Sequence, residues 1–160
     1  MVNVNAQKRF IRLMTEAKRK FELDLNELTI LTEAASGNFC CTPLLAAIAG
    51  ANVIAVGRDS AYGTYEEVEN HLKNMSAQMG VRDKIEIFNE IPEEYLVNIN
   101  IVTNLGFVRP INSQIISQLQ DSAVICLMWE PWEIRSGDID FKAAKKYGIT
   151  ILGTNEHDDR

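Results

Sequence analysis

The sequence predicts an α/β fold in which a parallel sheet of about six strands lies between two layers of helices. Three observations support this prediction. Short apolar segments alternate along the chain with longer segments whose apolar residues recur at helical spacing. One apolar segment, 124–128, shows no polar alternation, which is typical of a parallel strand covered on both faces. The first unit, 28–59, has the order strand, turn of small residues, helix, strand and acid.

The elements of this first unit follow from local signals. Its first strand, 28–31, ends in small residues, and Thr42 and Pro43 suit the cap and the first position of a helix. Gly50 suits the left-handed residue that ends that helix, and Asp59 follows the second strand, 53–56. This order is typical of a mononucleotide-binding βαβ unit and predicts a Rossmann-like three-layer sandwich. We favour the strand order 3-2-1-4-5-6 over the alternative order 2-1-3-4-5.

The later elements are predicted in the same way. Thr64 and Glu67 have the spacing of a capping box at a helix start. Further helices are predicted over 64–79, 112–119 and 138–147, with a short helical turn at 92–97, and further strands over 85–88, 99–103 and 149–152.

An amphipathic helix is predicted near the amino terminus, over 5–24. Its basic face is expected to lie in solvent while its other face packs on the domain. The alternative is that the basic face contacts an acidic partner. We therefore divide the chain into an N-terminal helix, 1–25, a Rossmann-like domain, 26–155, and a polar tail, 156–160. The apolar face of the helix consists of Phe10, Leu13, Met14, Ala17 and Phe21.

Composition and charge argue against several classes of function. The net charge of −6 argues against a nucleic-acid partner, because such a protein needs a basic surface to neutralise phosphates. No apolar segment reaches about 18 residues and the amino terminus is polar, so we expect a cytoplasmic protein with no membrane partner. The three cysteines form no disulfide framework and are expected to be free thiols. His71 and His157 are far apart, and no Cys or His pair has ligand spacing, so no metal site is predicted.

The candidate binding site lies at the carboxyl ends of the first and fourth strands. If the strand order reverses there, a crevice opens in which ligands of such sheets bind. Small residues let the backbone approach a ligand closely, and a nearby helix start favours anionic groups. The candidate residues for cofactor binding in this crevice are Glu33, Ser36, Gly37, Asn104 and Gly106. The alternative for Gly37 is a tight turn that serves only the chain path.

Asp59 is the sixth candidate cofactor-binding residue. It lies about 20 residues beyond the turn, where a carboxylate can accept hydrogen bonds from two ribose hydroxyls. The neighbouring Arg58 could instead bind a 2′-phosphate or pair with Asp59. Glu33 has a comparable alternative, as an acid in a salt bridge at the helix start.

Both tryptophans of the chain lie in one loop, Trp129–Arg135, together with two carboxylates and an arginine. Large aromatic side chains in a surface loop favour a lid over the crevice or a contact between subunits. The alternative is a loop folded onto its own domain. We therefore include a homo-oligomer through Trp129 and Trp132 among the expected partners, beside a small-molecule ligand.

The run 136–155, SGDIDFKAAKKYGITILGTN, resembles the end of the catalytic domain of NAD-dependent D-2-hydroxyacid dehydrogenases. The resemblance extends more loosely over 95–155. It implies an oxidoreductase with NAD or NADP as cofactor. Glu130–Glu133 replaces the family's Gly-rich turn, which holds the substrate carboxylate. The family's catalytic Arg, Glu and His have no matching positions here, so we expect a fragment without its own catalytic residues.

A second resemblance covers 32–106 and points to class I S-adenosylmethionine-dependent methyltransferases. It rests on the acid and glycine after the first strand, the acid after the second, and the run NMSAQMGVRDKIE at 74–86. It implies S-adenosylmethionine as the alternative cofactor, with Gly37 near its methionine part and Asp59 on its ribose. The preferred hypothesis is a dehydrogenase-related domain that binds a nucleotide cofactor or a small acid. The alternatives are a methyltransferase-like domain and a non-catalytic ligand-binding or assembly module.

Overall fold

The fold is built on one six-stranded parallel sheet, whose strand order is 3-2-1-4-5-6, as predicted. The structure is a computed structural model that describes residues 4–129, 133 and 135–155. The strands are β1 (Thr29–Glu33), β2 (Asn52–Val56), β3 (Ile85–Phe88), β4 (Ile101–Thr103), β5 (Val124–Cys126) and β6 (Thr150–Leu152). The helices are α1 (Val4–Lys20), α2 (Cys41–Ile48), α3 (Tyr65–Gln78), α4 (Ser113–Ile116) and α5 (Phe141–Tyr147).

Each face of the sheet is covered by its own cluster of buried apolar residues. Strand residues contribute to both clusters, because successive side chains of a strand point to opposite faces. On β1, the buried Leu31 belongs to one core cluster and the buried Ile30 belongs to the other. Helices α2 and α3 contribute Leu44 and Leu72 to the cluster around Ile30, whereas α4 and α5 cover the opposite face. This arrangement is the predicted Rossmann-like three-layer sandwich.

Capping explains where the helices begin. At α3 the predicted capping box is present, with the Thr64 side chain accepting from the Glu67 backbone N–H and the Glu67 side chain accepting from that of Thr64. At α2 the predicted cap at Thr42 is wrong, because a 3-10 helix, Gly37–Cys40, leads directly into a helix that starts at Cys41. The cap position is Cys40, whose side chain makes no capping hydrogen bond.

Helix α1 packs on the sheet's α2 and α3 side through Phe10 and Ile11. The predicted apolar face was wrong at its edges, since Leu13 is 43% exposed and Phe21 is 65% exposed. The helix ends at Lys20, so Phe21 lies beyond the continuous stripe. Among the residues that the structure describes, no helix is both long and apolar enough to cross a bilayer.

Candidate functional site

The strand order reverses between β1 and β4, and we call the space beyond their carboxyl ends the crevice. The two strands pair at Ile30–Ile101 and Leu31–Val102, and the buried hydroxyls of Thr32 and Thr103 lie 2.8 Å apart (Oγ1 to Oγ1). Beyond this pair the chain parts. The Ala34 N–H donates to Val56 on β2, whereas the Asn104 N–H donates to Cys126 on β5. The chain therefore turns towards β2 after β1 and towards β5 after β4, and in open α/β sheets ligands bind at such a point.

Glu33 reaches across this crevice. Its Oε2 accepts a hydrogen bond from the Phe107 backbone N–H at 3.2 Å, which ties the end of β1 to the loop after β4. Gly106 lies against the same carboxylate, since a Cβ at this position would be 3.2 Å from Glu33 Oε2. The structure therefore brings together two of the six candidate residues. Within the described part of the chain, Oε1 of Glu33 has no hydrogen-bond partner.

Asn104 lies at the end of β4 and contacts the end of β5. It is only 1% exposed, and its Oδ1 accepts from the Met128 N–H at 2.6 Å. Its Nδ2 is buried and has no hydrogen-bond partner among the described residues. An unsatisfied buried donor costs about 1–3 kcal/mol, so this amide has an unmet demand for an acceptor.

Arg109 adds a cation that sequence reasoning did not select. Its Nη1 forms an ion pair with Asp138, and its guanidinium stacks on the Trp129 ring with its carbon 5.4 Å from the ring centroid. A Cβ at Gly106 would lie 3.8 Å from Arg109 Nη2. In the described residues, the buried Nε has no partner, and Nη2 makes no hydrogen bond. The Nε–Nη2 edge of a guanidinium has the fork geometry that binds a carboxylate through two parallel hydrogen bonds.

Asp59 lies in a surface cleft between the ends of β2 and β3 that also contains Arg58 and Asn89. Its Oδ1 accepts from the Tyr65 backbone N–H at 2.7 Å, so it satisfies one of the free amides at the start of α3. It forms no ion pair with Arg58 in the described part of the chain. The carboxylate is exposed and keeps its second oxygen available.

Ser36 and Gly37 lie in the turn between β1 and α2. Gly37 has φ +59°, a left-handed conformation that other residues rarely adopt, and a Cβ there would meet nothing within 4 Å. The space beside it is a cleft of about 170 Å³ between α1, this turn and α3. The Ser36 side chain makes no capping hydrogen bond. Among the predicted residues, Glu33 and Gly106 lie together, Gly37 lines the α1–α3 cleft and Asp59 lines a cleft of its own.

Two of the three free cysteines, Cys40 and Cys41, lie at the start of α2. Cys40 is 1% exposed, and burial raises the pKa of its thiol to about 11. A thiol with this pKa is almost wholly protonated at neutral pH, which argues against a nucleophile. Its Sγ nevertheless lies 3.7 Å from His71 Nε2, a neighbour that the sequence spacing did not indicate. No group of three or more His, Cys, Asp or Glu side chains suited to a metal ion occurs among the described residues.

The loop after β5 is described only in part. Trp129 is half-buried against Arg109, and its indole Nε1 is buried without a partner in the described part of the chain. Trp132, the other half of the predicted subunit contact, and the tail residue His157 lie outside the described residues. The lid and the homo-oligomer therefore stay predictions.

Comparison with known proteins supports the fold alone. Neither models of protein families nor curated protein sequences give a match. Among solved structures, the chain resembles the A chain of dipicolinate synthase from Bacillus subtilis, with 21% identity, a TM-score of 0.57, and coverage of 91% of this chain and 45% of that one. It also resembles shikimate 5-dehydrogenase from Listeria monocytogenes, solved with shikimate and NAD, with 13% identity, a TM-score of 0.57, and coverage of 87% and 50%.

A third similar structure is benzyl alcohol dehydrogenase from Acinetobacter calcoaceticus, at 18% identity and a TM-score of 0.54, with coverage of 90% of this chain and 39% of that one. The chain spans half or less of the length of these three proteins. At such identities the shared property is the Rossmann-like fold. The comparisons do not single out the D-2-hydroxyacid dehydrogenases.

Proposed function

We propose that this chain is a dehydrogenase-related domain that binds the nucleotide part of NAD or NADP at the crevice between β1 and β4. The observation that carries the proposal is the divergence of these two strands at the reversal of the strand order. In open α/β sheets, ligands bind outside the carboxyl ends of the strands at this point. Solved structures with the same fold include dehydrogenases, one of them in complex with NAD.

Further residues favour a ligand that bears both acceptor and donor groups. Asn104 and Arg109 offer unpartnered N–H groups in the described part of the chain, and Glu33 offers a carboxylate oxygen. The N–H groups suit a carboxylate or phosphate, and the carboxylate suits hydroxyls. We therefore retain a small acid as a second ligand of the same crevice. The turn at Ser36 and Gly37 would approach the pyrophosphate at the start of α2.

A second candidate cofactor, S-adenosylmethionine, is favoured by one observation. The Glu33 carboxylate lies inside the crevice, where it would repel a pyrophosphate but attract a sulfonium or an ammonium group. Calorimetric titration of the chain with NAD, NADP, S-adenosylmethionine and S-adenosylhomocysteine separates the two candidates. Heat of binding with NAD or NADP supports the dehydrogenase proposal, and saturable binding of only the adenosyl compounds replaces it. Binding of none of the four contradicts both.

Asp59→Asn tests the ribose role. Because an asparagine Oδ1 can still accept from the Tyr65 N–H, we expect the start of α3 to keep its hydrogen bond and the fold to keep its stability. Loss of the charged acceptor should weaken nucleotide binding by roughly 1–3 kcal/mol, which calorimetry measures. Asp83→Asn, at another exposed site near the amino end of β3, is the matched control and should bind like the wild type. Unchanged affinity in Asp59→Asn would remove Asp59 from the site.

We expect the isolated chain to transfer no hydride, because that chemistry normally needs a positioned acid–base residue. His71 lies on α3 in the α1–α3 cleft rather than in the β1–β4 crevice. The measurement is the NAD(P)H absorbance during incubation with a panel of 2-hydroxy and 2-oxo acids, and no change is expected. Turnover that survives His71→Ala but is lost in Glu33→Gln would overturn this prediction. Glutamine keeps an acceptor for the Phe107 N–H, so that variant tests the acid and not the loop.

A further inference from the structure

The cleft between α1 and α3 holds a group of sulfur and nitrogen side chains that the proposed function does not use. It has a volume of about 170 Å³ and is lined in part by Gln7, Phe10, Cys40, His71 and Met75. The described residues that line it include no Asp, Glu, Lys or Arg. A cation in this cleft would therefore meet neutral or soft ligands and no carboxylate.

The side chains of Cys40 and His71 are as far apart as two ligand atoms bound to the same metal ion. Their Sγ and Nε2 atoms are 3.7 Å apart. Metal–sulfur bonds of about 2.3 Å and metal–nitrogen bonds of about 2.0 Å, opened to an angle of roughly 110–120°, place the two ligand atoms about 3.5–3.8 Å apart. The ion would fit between these side chains without a change in the backbone.

Met75, on the same helix as His71, supplies the thioether sulfur as a third possible ligand. It follows His71 by four residues on α3, so the two side chains lie on one helix face. Its Sδ lies 3.1 Å from Gln7 Nε2, and both residues line the cleft, which places the thioether at the cleft wall. Methionine has three rotatable side-chain bonds, so its sulfur can turn from Gln7 towards an ion.

We propose that Cys40, His71 and Met75 bind one Cu(I) ion in the α1–α3 cleft. Thiolate and thioether ligands select Cu(I), and a thiolate neutralises its single charge. Zn(II) is disfavoured because one thiolate would leave a buried net positive charge with no carboxylate to balance it. Binding is an exchange without redox change: the Cys40 S–H bond breaks, a sulfur–copper bond forms, and the proton passes to solvent. The proposal does not rest on nucleotide binding, although Gly37 lines the same cleft.

The test titrates the reduced chain, without oxygen, against the coloured complex of Cu(I) with bicinchoninate. We expect the wild type to remove one equivalent of copper. Cys40→Ser, Cys40→Ala and His71→Ala should each weaken the affinity by at least about tenfold, since even residues behind a metal ligand change affinity by that factor. Met75→Leu, which keeps the apolar volume, should also weaken it. Circular dichroism confirms that each variant is folded, and two variants at Cys40 guard against a loss of folding in one of them.

Matched controls decide whether the copper is at this site. Cys41→Ser and Cys126→Ser remove the other thiols of the described chain and should leave the affinity unchanged. Zn(II) at the same concentration should not displace the copper. The proposal fails if the wild type takes no copper from the chelator, or if Cys40→Ser binds as tightly as the wild type. Displacement by equimolar Zn(II) would overturn the assignment of the ion.

Discussion

Leu31→Ala should lower the free energy of unfolding by about 2–5 kcal/mol. Leu31 is fully buried in β1, which is paired with β2 on one side and with β4 on the other. Its side chain belongs to the core cluster under α4 and α5, so the truncation removes apolar contacts and leaves a cavity that the paired strands cannot close. Urea denaturation followed by circular dichroism measures the change.

Leu13→Ala is the matched control, because it makes the same truncation at a leucine of α1 that is 43% exposed. We expect a loss within about 0.5 kcal/mol, as for surface substitutions in general. Equal losses in the two variants would show that β1 is not the centre of the cooperative core. A small loss at Leu31 alone would show that the sheet can repack.

Gly37→Val should abolish nucleotide binding while the fold still unfolds cooperatively. The turn has φ +59° at this position, and a β-branched residue is poorly tolerated there, so the backbone must shift at the start of α2. The strain should cost about 1–2 kcal/mol of stability. The larger effect is on binding, because a shift of the turn displaces the backbone N–H groups at the start of α2 that would approach a ligand's phosphate groups. Calorimetric titration with the best nucleotide measures it.

Gly80→Val separates strain from binding. Gly80 ends α3 with φ +71°, and a Cβ there would also meet nothing within 4 Å, so the two substitutions impose similar strain. We expect Gly80→Val to lose stability by a similar amount and to keep its affinity. Full binding by Gly37→Val would remove the turn from the site. Equal loss of nucleotide binding in both variants would show that the loss comes from lower folding stability and not from the turn at Gly37.

Local signals predicted the type and order of the elements, although α4 (Ser113–Ile116) is shorter than the predicted helix 112–119. The period of the apolar residues distinguished helices from strands, and the capping box at Thr64 and Glu67 marked the start of α3. The strand order could be favoured because right-handed crossovers and the opening βαβ unit leave few topologies. The predicted cap at Thr42 failed because a 3-10 helix, which has no strong sequence signal, precedes α2.

The sequence could predict at which edge of the sheet the candidate site lies, but not which side chains meet there. The sequence placed Glu33, Asn104 and Gly106 at strand ends, and the structure places Glu33 beside Gly106. It could not show that Asp59 faces a separate cleft, because the direction of a loop after a strand depends on what packs against it. Sequence reasoning missed Arg109 because its contacts, Asp138 and Trp129, lie far along the chain and meet it only in the fold.

What the sequence determined by itself is the alternation of strands and helices, since hydrophobic period, caps and glycines act within a few residues of each other. Only the tertiary structure decided which side chains meet. Arg109 and Asp138 are 29 residues apart and Cys40 and His71 are 31 apart, and each pair is close because separate elements converge at one place. Such contacts depend on how the elements pack across the sheet, and no short-range pattern in the chain encodes them.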